Sequence, residues 1–202
     1  MKMSYKHSIL GGATLAMAFA FSAAAADPDH GLYFNAEAGA NWASDVTIGG
    51  AGSGTAEMDI GFRAGAAVGY NVNKYIGVEF DTGWVWNKFK NVDGSLSQIP
   101  LIVNGVFRYP LSQKWETYAG GGVGGSYSIL DLNGAVDDSD GDFVFAWQVL
   151  AGFRYKIKEN MSIGLGYKYL GTTRGNYDVG GVNVSISDVH NHTFGAVFNL
   201  KF

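Results

Sequence analysis

Eight stretches of this chain alternate with period two, and within each the two phases differ in kind. One phase is bulky and apolar; the other is glycine, small or polar. That is the mark of a β-strand with two unlike faces. The first stretch sets Leu32, Phe34, Ala36, Ala38, Ala40 and Trp42 against Tyr33, Asn35, Glu37, Gly39 and Asn41. The second, read from Met58 to Tyr70, places Phe62, Ala64, Ala66 and Val68 opposite Asp59, Gly61, Arg63, Gly65, Ala67 and Gly69. Further stretches cover 76–86, 98–109, 145–155, 161–169 and 194–202, and the fifth, 115–127, is too glycine-rich to show a phase. No part of residues 27–202 carries a 3.6-residue pattern, so the chain is read as all-β.

The connections narrow the choice. Residues 43–56, 88–97, 128–142 and 171–183 are long and polar, while 71–74, 110–114 and 157–160 are short. Strict alternation puts every long connection at one end of the strands and every short one at the other. Asn, Gly, Asp and Ser dominate the long ones, which are read as solvated, mobile loops. Strands of about ten residues fit the ~9–11 needed to cross a bilayer at a tilt. The expected fold is therefore an eight-stranded antiparallel up-and-down transmembrane β-barrel. Volume decides which phase faces out. The lumen of eight strands is barely wide enough for side chains, so Trp42, Trp84, Trp86, Trp147 and the Phe and Tyr residues in phase with them must face lipid. Trp42, Trp84, Trp86, Trp147 and Tyr169 fall at the long-loop ends. Phe34, Tyr70, Tyr109, Tyr155 and Phe198 lie toward the short turns. These are two aromatic belts, one for each membrane interface.

Residues 1–26 are read as a leader. Lys2 and Lys6 precede an apolar run from Ile9 to Phe21, and Ser22-Ala23-Ala24-Ala25-Ala26 supplies small residues before a cleavage junction. The cut is expected between Ala26 and Asp27, so that Asp27 opens the mature chain. The barrel domain is then 27–202, and losing two lysines takes the formal charge from −4 to −6. That balance argues against nucleic acid as a partner. The absence of cysteine excludes disulfides, thiolate metal sites and a cysteine nucleophile.

On these residues the chain resembles the small outer-membrane β-barrels of Gram-negative bacteria, the OmpA-like and opacity-type surface proteins. The most specific feature is the terminal strand, Phe194-x-Ala196-x-Phe198-x-Leu200-x-Phe202. Tyr118-Ala119-Gly120-Gly121-Gly122-Val123-Gly124 and Leu165-Gly166-Tyr167-Lys168-Tyr169-Leu170 also look like strands of that family. The resemblance implies that Phe198, Leu200 and Phe202 form a signal read by the barrel-assembly machinery. It implies periplasmic chaperones on the way and outer-membrane lipid and lipopolysaccharide around the folded chain. It also implies a surface role, with long loops that meet a host or surface ligand.

The inward phase holds Glu37, Asp59, Glu79 and Asp81 together with Arg63, Arg108, Arg154 and Lys168. Unpaired charges in so narrow a space are costly, so these eight are expected to pair into a salt-bridged plug, with Arg108 facing a carboxylate. A gated pore in which the pairs exchange partners is the competing reading. Other motifs carry less. Gly120-x-Gly122-x-x-Gly125 matches a dinucleotide fingerprint but lacks the helix that would hold a pyrophosphate. Asp137-Asp138-Ser139-Asp140-Gly141-Asp142 offers carboxylates, yet Val149 stands where a Ca²⁺ loop needs glutamate, so an acidic loop tip is expected. His190 and His192 share one face of the last strand without an evident third ligand. No base, nucleophile and acid converge around His192, Thr193, Ser187 and Asp188. The expectation is a non-enzymatic envelope and surface-interaction protein without cofactor or metal. A porin-like or hydrophobic-solute transport barrel is the alternative, and a lipid A-modifying enzyme ranks third.

Overall fold

A computed structural model describes residues 30–49, 54–91, 93–132, 138–179 and 181–202. The expected leader and its cleavage junction fall on Ala26 and Asp27 and before, and these lie outside the described residues, as does Asp137 of the acidic run. Asp27, expected as the first residue of the barrel domain, is therefore not part of the barrel wall described, which starts with β1 at Gly31.

In chain order the strands are β1 (Gly31–Ala43), β2 (Val46–Gly49), β3 (Gly54–Ala56), β4 (Gly61–Asn71), β5 (Ile76–Lys88), β6 (Gly94–Pro110), β7 (Trp115–Leu132), β8 (Asp138–Lys158), β9 (Met161–Thr172), β10 (Gly175–Val179), β11 (Val182–Ile186) and β12 (Val189–Lys201). Eight of them close a barrel in the order β1-β12-β9-β8-β7-β6-β5-β4. β1 pairs antiparallel with both β4 and β12. Closure leaves no barrel strand edge at bilayer depth, the condition for a sheet to cross a membrane.

The faces are inside-out relative to a protein in water. Asn35, Arg63, Glu79, Asp81, Asn104, Arg108, Gln148 and Arg154 are buried in the lumen. Phe80, Trp84, Phe107, Phe153 and Leu165 stand about half exposed on the outer wall. Contiguous apolar surface of this extent marks an interaction with lipid or with another protein, and a closed band of it suits a bilayer. β7, whose phase the sequence hides, points Glu116, Tyr118, Ser126, Ser128 and Leu130 inward.

The long connections depart from expectation. β6, β7 and β8 run 17, 18 and 21 residues, well past the 11 to 13 of the other barrel strands. The segments read as loops at 88–97 and 128–142 are largely a continuing ladder, with Val123 opposite Trp147 at its base and Leu132 opposite Asp138 at its tip. From Trp147 to Asp138 that is about 30 Å along the strand. The segment 43–56 supplies β2 and β3, and the segment 171–183 with the three residues after it supplies β10 and β11; the four form a second sheet in the order β10-β11-β2-β3. Val46, Ala56, Met58, Phe89, Leu96, Leu130, Tyr177, Ile186 and Val189 make one buried apolar cluster between this sheet and the strand extensions. The barrel therefore carries a folded cap at its long-connection end instead of open loops.

Asp59 and Met58 are misplaced by parity. The second stretch leaves the ladder before Gly61; Met58 bridges to Phe89 and turns into the cap core, while Asp59 is exposed. Phe62 pairs with Trp86 but Met58 with Phe89, four residues against three, so one extra residue between them reverses the phase, although Asp59 N still donates to the Lys88 carbonyl at 2.8 Å. Asp59 thus stands outside the lumen charges.

Candidate functional site

The lumen is packed in layers. In the central layer Arg63 Nε donates to Glu37 Oε1 at 2.5 Å and its Nη2 to Asp81 Oδ1 at 2.6 Å. Lys168 Nζ donates to Glu37 at 2.8 Å and also to Asp81. Each carboxylate holds two cations and each cation two carboxylates, across β1, β4, β5 and β9. Asp81 and Arg63 are almost fully enclosed. Bulk water screens such a pair poorly, and removing one member leaves a partner charge stranded at a cost of ~3–5 kcal/mol.

Toward the short turns the chemistry changes. Glu79 accepts from Tyr33 Oη at 3.0 Å and Asn35 Nδ2 at 2.9 Å, and Asn199 donates in turn to Asn35 at 2.8 Å. Arg108 does not face a carboxylate as expected. Its guanidinium donates to the Asn71 side chain and, at 3.3 Å, to the Asn73 carbonyl, and it lies 5.4 Å from the Tyr33 ring centroid. The register explains this: β6 sets Arg108 beside the β4–β5 turn, where amides and carbonyls converge. Arg154 pairs with Glu116 at 3.7 Å and stacks 4.0 Å over Tyr118, while Lys201 reaches Glu116 at 4.0 Å. Among the described residues the inward charges are four acids, Glu37, Glu79, Asp81 and Glu116, and five bases, Arg63, Arg108, Arg154, Lys168 and Lys201. Glu116, at the short-turn end of β7, and not Asp59, is the fourth acid. It escaped the sequence reading because the glycines from 120 to 125 hide the phase of its strand; Lys201 was on the right phase but at the strand's last position.

Above the quartet lies an uncharged layer. Asn41 donates to Asn87 at 2.7 Å and Asn191 at 2.8 Å, and accepts from Thr193 at 2.7 Å. Asn191 donates to Gln98 at 2.6 Å, and Gln98 to Thr172 at 3.1 Å. Nothing in the sequence flags these amides except their parity. Between the layers are two cavities of about 20 and 10 Å³, lined by Glu37, Tyr118, Lys168 and Val197 in common. Each is about the size of a single water.

The remaining candidates sit elsewhere. His190 and His192 are on the outer wall, with Nδ1 2.7 Å from Tyr169 Oη and 2.8 Å from Tyr167 Oη respectively. Thr193 is inside, across the wall from them, and Ser187 Oγ accepts from the Thr47 amide at 3.0 Å. Asp140 and Asp142 belong to β8, not to a loop tip. Their carboxylates accept the Asp178 and Asn176 amides at 2.7 and 2.9 Å, which fastens the edge of β10 to the barrel wall. Among the described residues no group of three or more metal-ligating side chains comes together. Gly120, Gly122 and Gly125 are strand residues of β7. Phe198, Leu200 and Phe202 lie on the outward phase at the end of the chain, where the Phe202 amide donates to the Leu32 carbonyl at 2.9 Å. In the cap, burial pushes the Tyr177 phenol up to about 12.

Comparison with known proteins agrees with this architecture. The 25 kDa outer-membrane immunogenic protein of Brucella canis is 31% identical over 130 residues, which span 61% of this chain and 58% of that relative's length. Pseudomonas aeruginosa OprG, an outer membrane protein, superposes with a TM-score of 0.61 at 16% identity, over 86% of this chain and 98% of its own. Neisserial surface protein A gives 0.55 at 20% identity, over 85% and 97%. At such identities the two structures speak for the fold alone. The family model for the outer membrane protein β-barrel domain matches residues 11–202, and the chain belongs to that family, a β-barrel of the bacterial outer membrane.

Proposed function

We propose that this barrel is a plugged scaffold that supports the envelope and presents a folded surface outside the cell. The observation that carries the reading is the lumen: among the described residues three polar layers tie strands on all sides together, and the two cavities between them are water-sized. A conducting pore needs a continuous path, and here one would require the quartet to let go. The cap and the long β6–β8 wall supply the presented surface, since long connections of outer-membrane barrels are extracellular. The kinship to a relative named as immunogenic supports a surface antigen or adhesin-like role. In this reading lipopolysaccharide surrounds the outer wall, and periplasmic chaperones deliver the chain to the barrel-assembly machinery. Phe198, Leu200 and Phe202 serve as the signal there, after the leader has been cut between Ala26 and Asp27. The role is non-catalytic.

Antibodies raised against the folded chain test the surface part. Intact cells should bind them, and deleting residues 175–186 should remove the share directed at the cap. Labelling that appears only after the outer membrane is opened would contradict the reading.

A transport barrel is the second reading, favoured by one feature: in the quartet each carboxylate already has two cationic partners, so a bond can be exchanged without a bare charge.

A further inference from the structure

The outer wall is not evenly rough. Where β12 and β1 meet, the outward residues are small: Ala38 stands opposite Ala196, and Ala36 lies one pleat below, with Leu165 and Ile163 of β9 forming one side. Trp115, Tyr155 and Phe198 rise around them and leave a groove of about 680 Å³ in the wall. That lies within the ~300–1,000 Å³ of small-molecule sites. It is in the half of the barrel nearest the short turns, which faces the periplasm. This wall is in the bilayer, so a lipid of the periplasmic leaflet is what covers it.

The charge at the groove's end selects among lipids. Lys114 lies in the β6–β7 turn with its ammonium 5.9 Å from the Tyr155 ring centroid, at the lip of the groove. The Lys156 amide donates to the Lys114 carbonyl at 2.8 Å, which brings that strand end beside the turn. Lys158 is exposed one step further on. Glu159 is the one acidic side chain among the described residues of the three short turns. Trp115 and Tyr155, in edge-to-face contact at 5.1 Å, are the residue types that sit at headgroup depth. The groove therefore opens at the level of the phosphates, beside Lys114, with Lys158 exposed in the neighbouring turn.

We propose that this groove seats an acyl chain of an anionic phospholipid of the periplasmic leaflet, with its phosphate held by Lys114 and the lysines beside it. The site is independent of whether the lumen conducts. Trp115 and Tyr155 would fix the depth of the headgroup, and the alanine floor would let the chain lie close to the backbone.

The test is native mass spectrometry of the refolded chain in detergent, titrated with phosphatidylglycerol and with phosphatidylcholine of the same acyl chains. Wild type should retain phosphatidylglycerol at least five-fold better. Lys114→Gln should lower that retention roughly five-fold, the effect of one cation at an anionic surface, and leave phosphatidylcholine unchanged. Ala196→Leu fills the floor with a side chain that lipid tolerates, and should lower retention of both lipids. Equal retention of the two lipids by wild type, or no effect of Lys114→Gln, would overturn the proposal. A lipid-independent dimer abolished by Ala196→Leu would overturn it too, and would give the groove to a second copy of the chain.

Discussion

Tyr33 reaches across the lumen to Glu79 because Gly69 stands opposite it on β4. A Cβ at Gly69 would intrude on the Tyr33 ring, and one at Gly152 or Gly166 would meet the Tyr118 hydroxyl at 2.5 or 2.7 Å. The glycines of the inward phase thus clear room for the two tyrosines that Arg108 and Arg154 lie against. Gly69→Ala should push the Tyr33 ring aside, weaken its bond to Glu79 and cost ~1–3 kcal/mol. Urea unfolding in vesicles measures this, and an unchanged midpoint would show that the ring has room to spare. At this scale the sequence displays which residues are inward and little else. Glu37, Arg63, Asp81 and Lys168 can be read as lumen charges from their parity on well-marked strands. That Arg63 and Lys168 each bridge the same two acids depends on the stagger between four strands, which no single strand's pattern contains.

Among elements, the extended wall and its cap are what the sequence conceals. Inside the bilayer a strand must show lipid on one side and packed side chains on the other, so its phases differ sharply. Above the bilayer water can reach the outer face, the contrast fades, and Ser128 to Leu132 and Asp138 to Asp142 read as polar loop although their backbone pairing continues unbroken. The β2, β3, β10 and β11 segments are five residues or fewer, too short for a period to declare itself. Tyr177 at the heart of the cap gives this element its own test. Its phenol is held up to about 12 by burial, so the folded cap keeps a proton that the open form releases near 10. Cap stability should therefore fall as pH rises from about 10 through 12. The difference between tyrosinate titrations of wild type and Tyr177→Phe isolates this one phenol. Its midpoint should lie near 12; a midpoint near 10 would mean that the cap is not closed over it.

The molecule as a whole is a membrane wall turned inside out around a filled lumen and closed by a folded cap. Closure follows from the bilayer, which accepts no bare strand edge. Filling follows from the strand number, since eight strands leave space for side chains and little more. With that space occupied by nine charged side chains and a tier of amides, the property proposed for the barrel is that it does not conduct. The most direct measurement is single-channel conductance of the refolded chain in a planar bilayer, wild type beside Arg63→Ala. Wild type should be silent. Arg63→Ala removes the guanidinium from between Glu37 and Asp81 and should produce brief, cation-preferring openings. Stable, defined openings from wild type would contradict the plug and make the quartet the filter of a transport barrel.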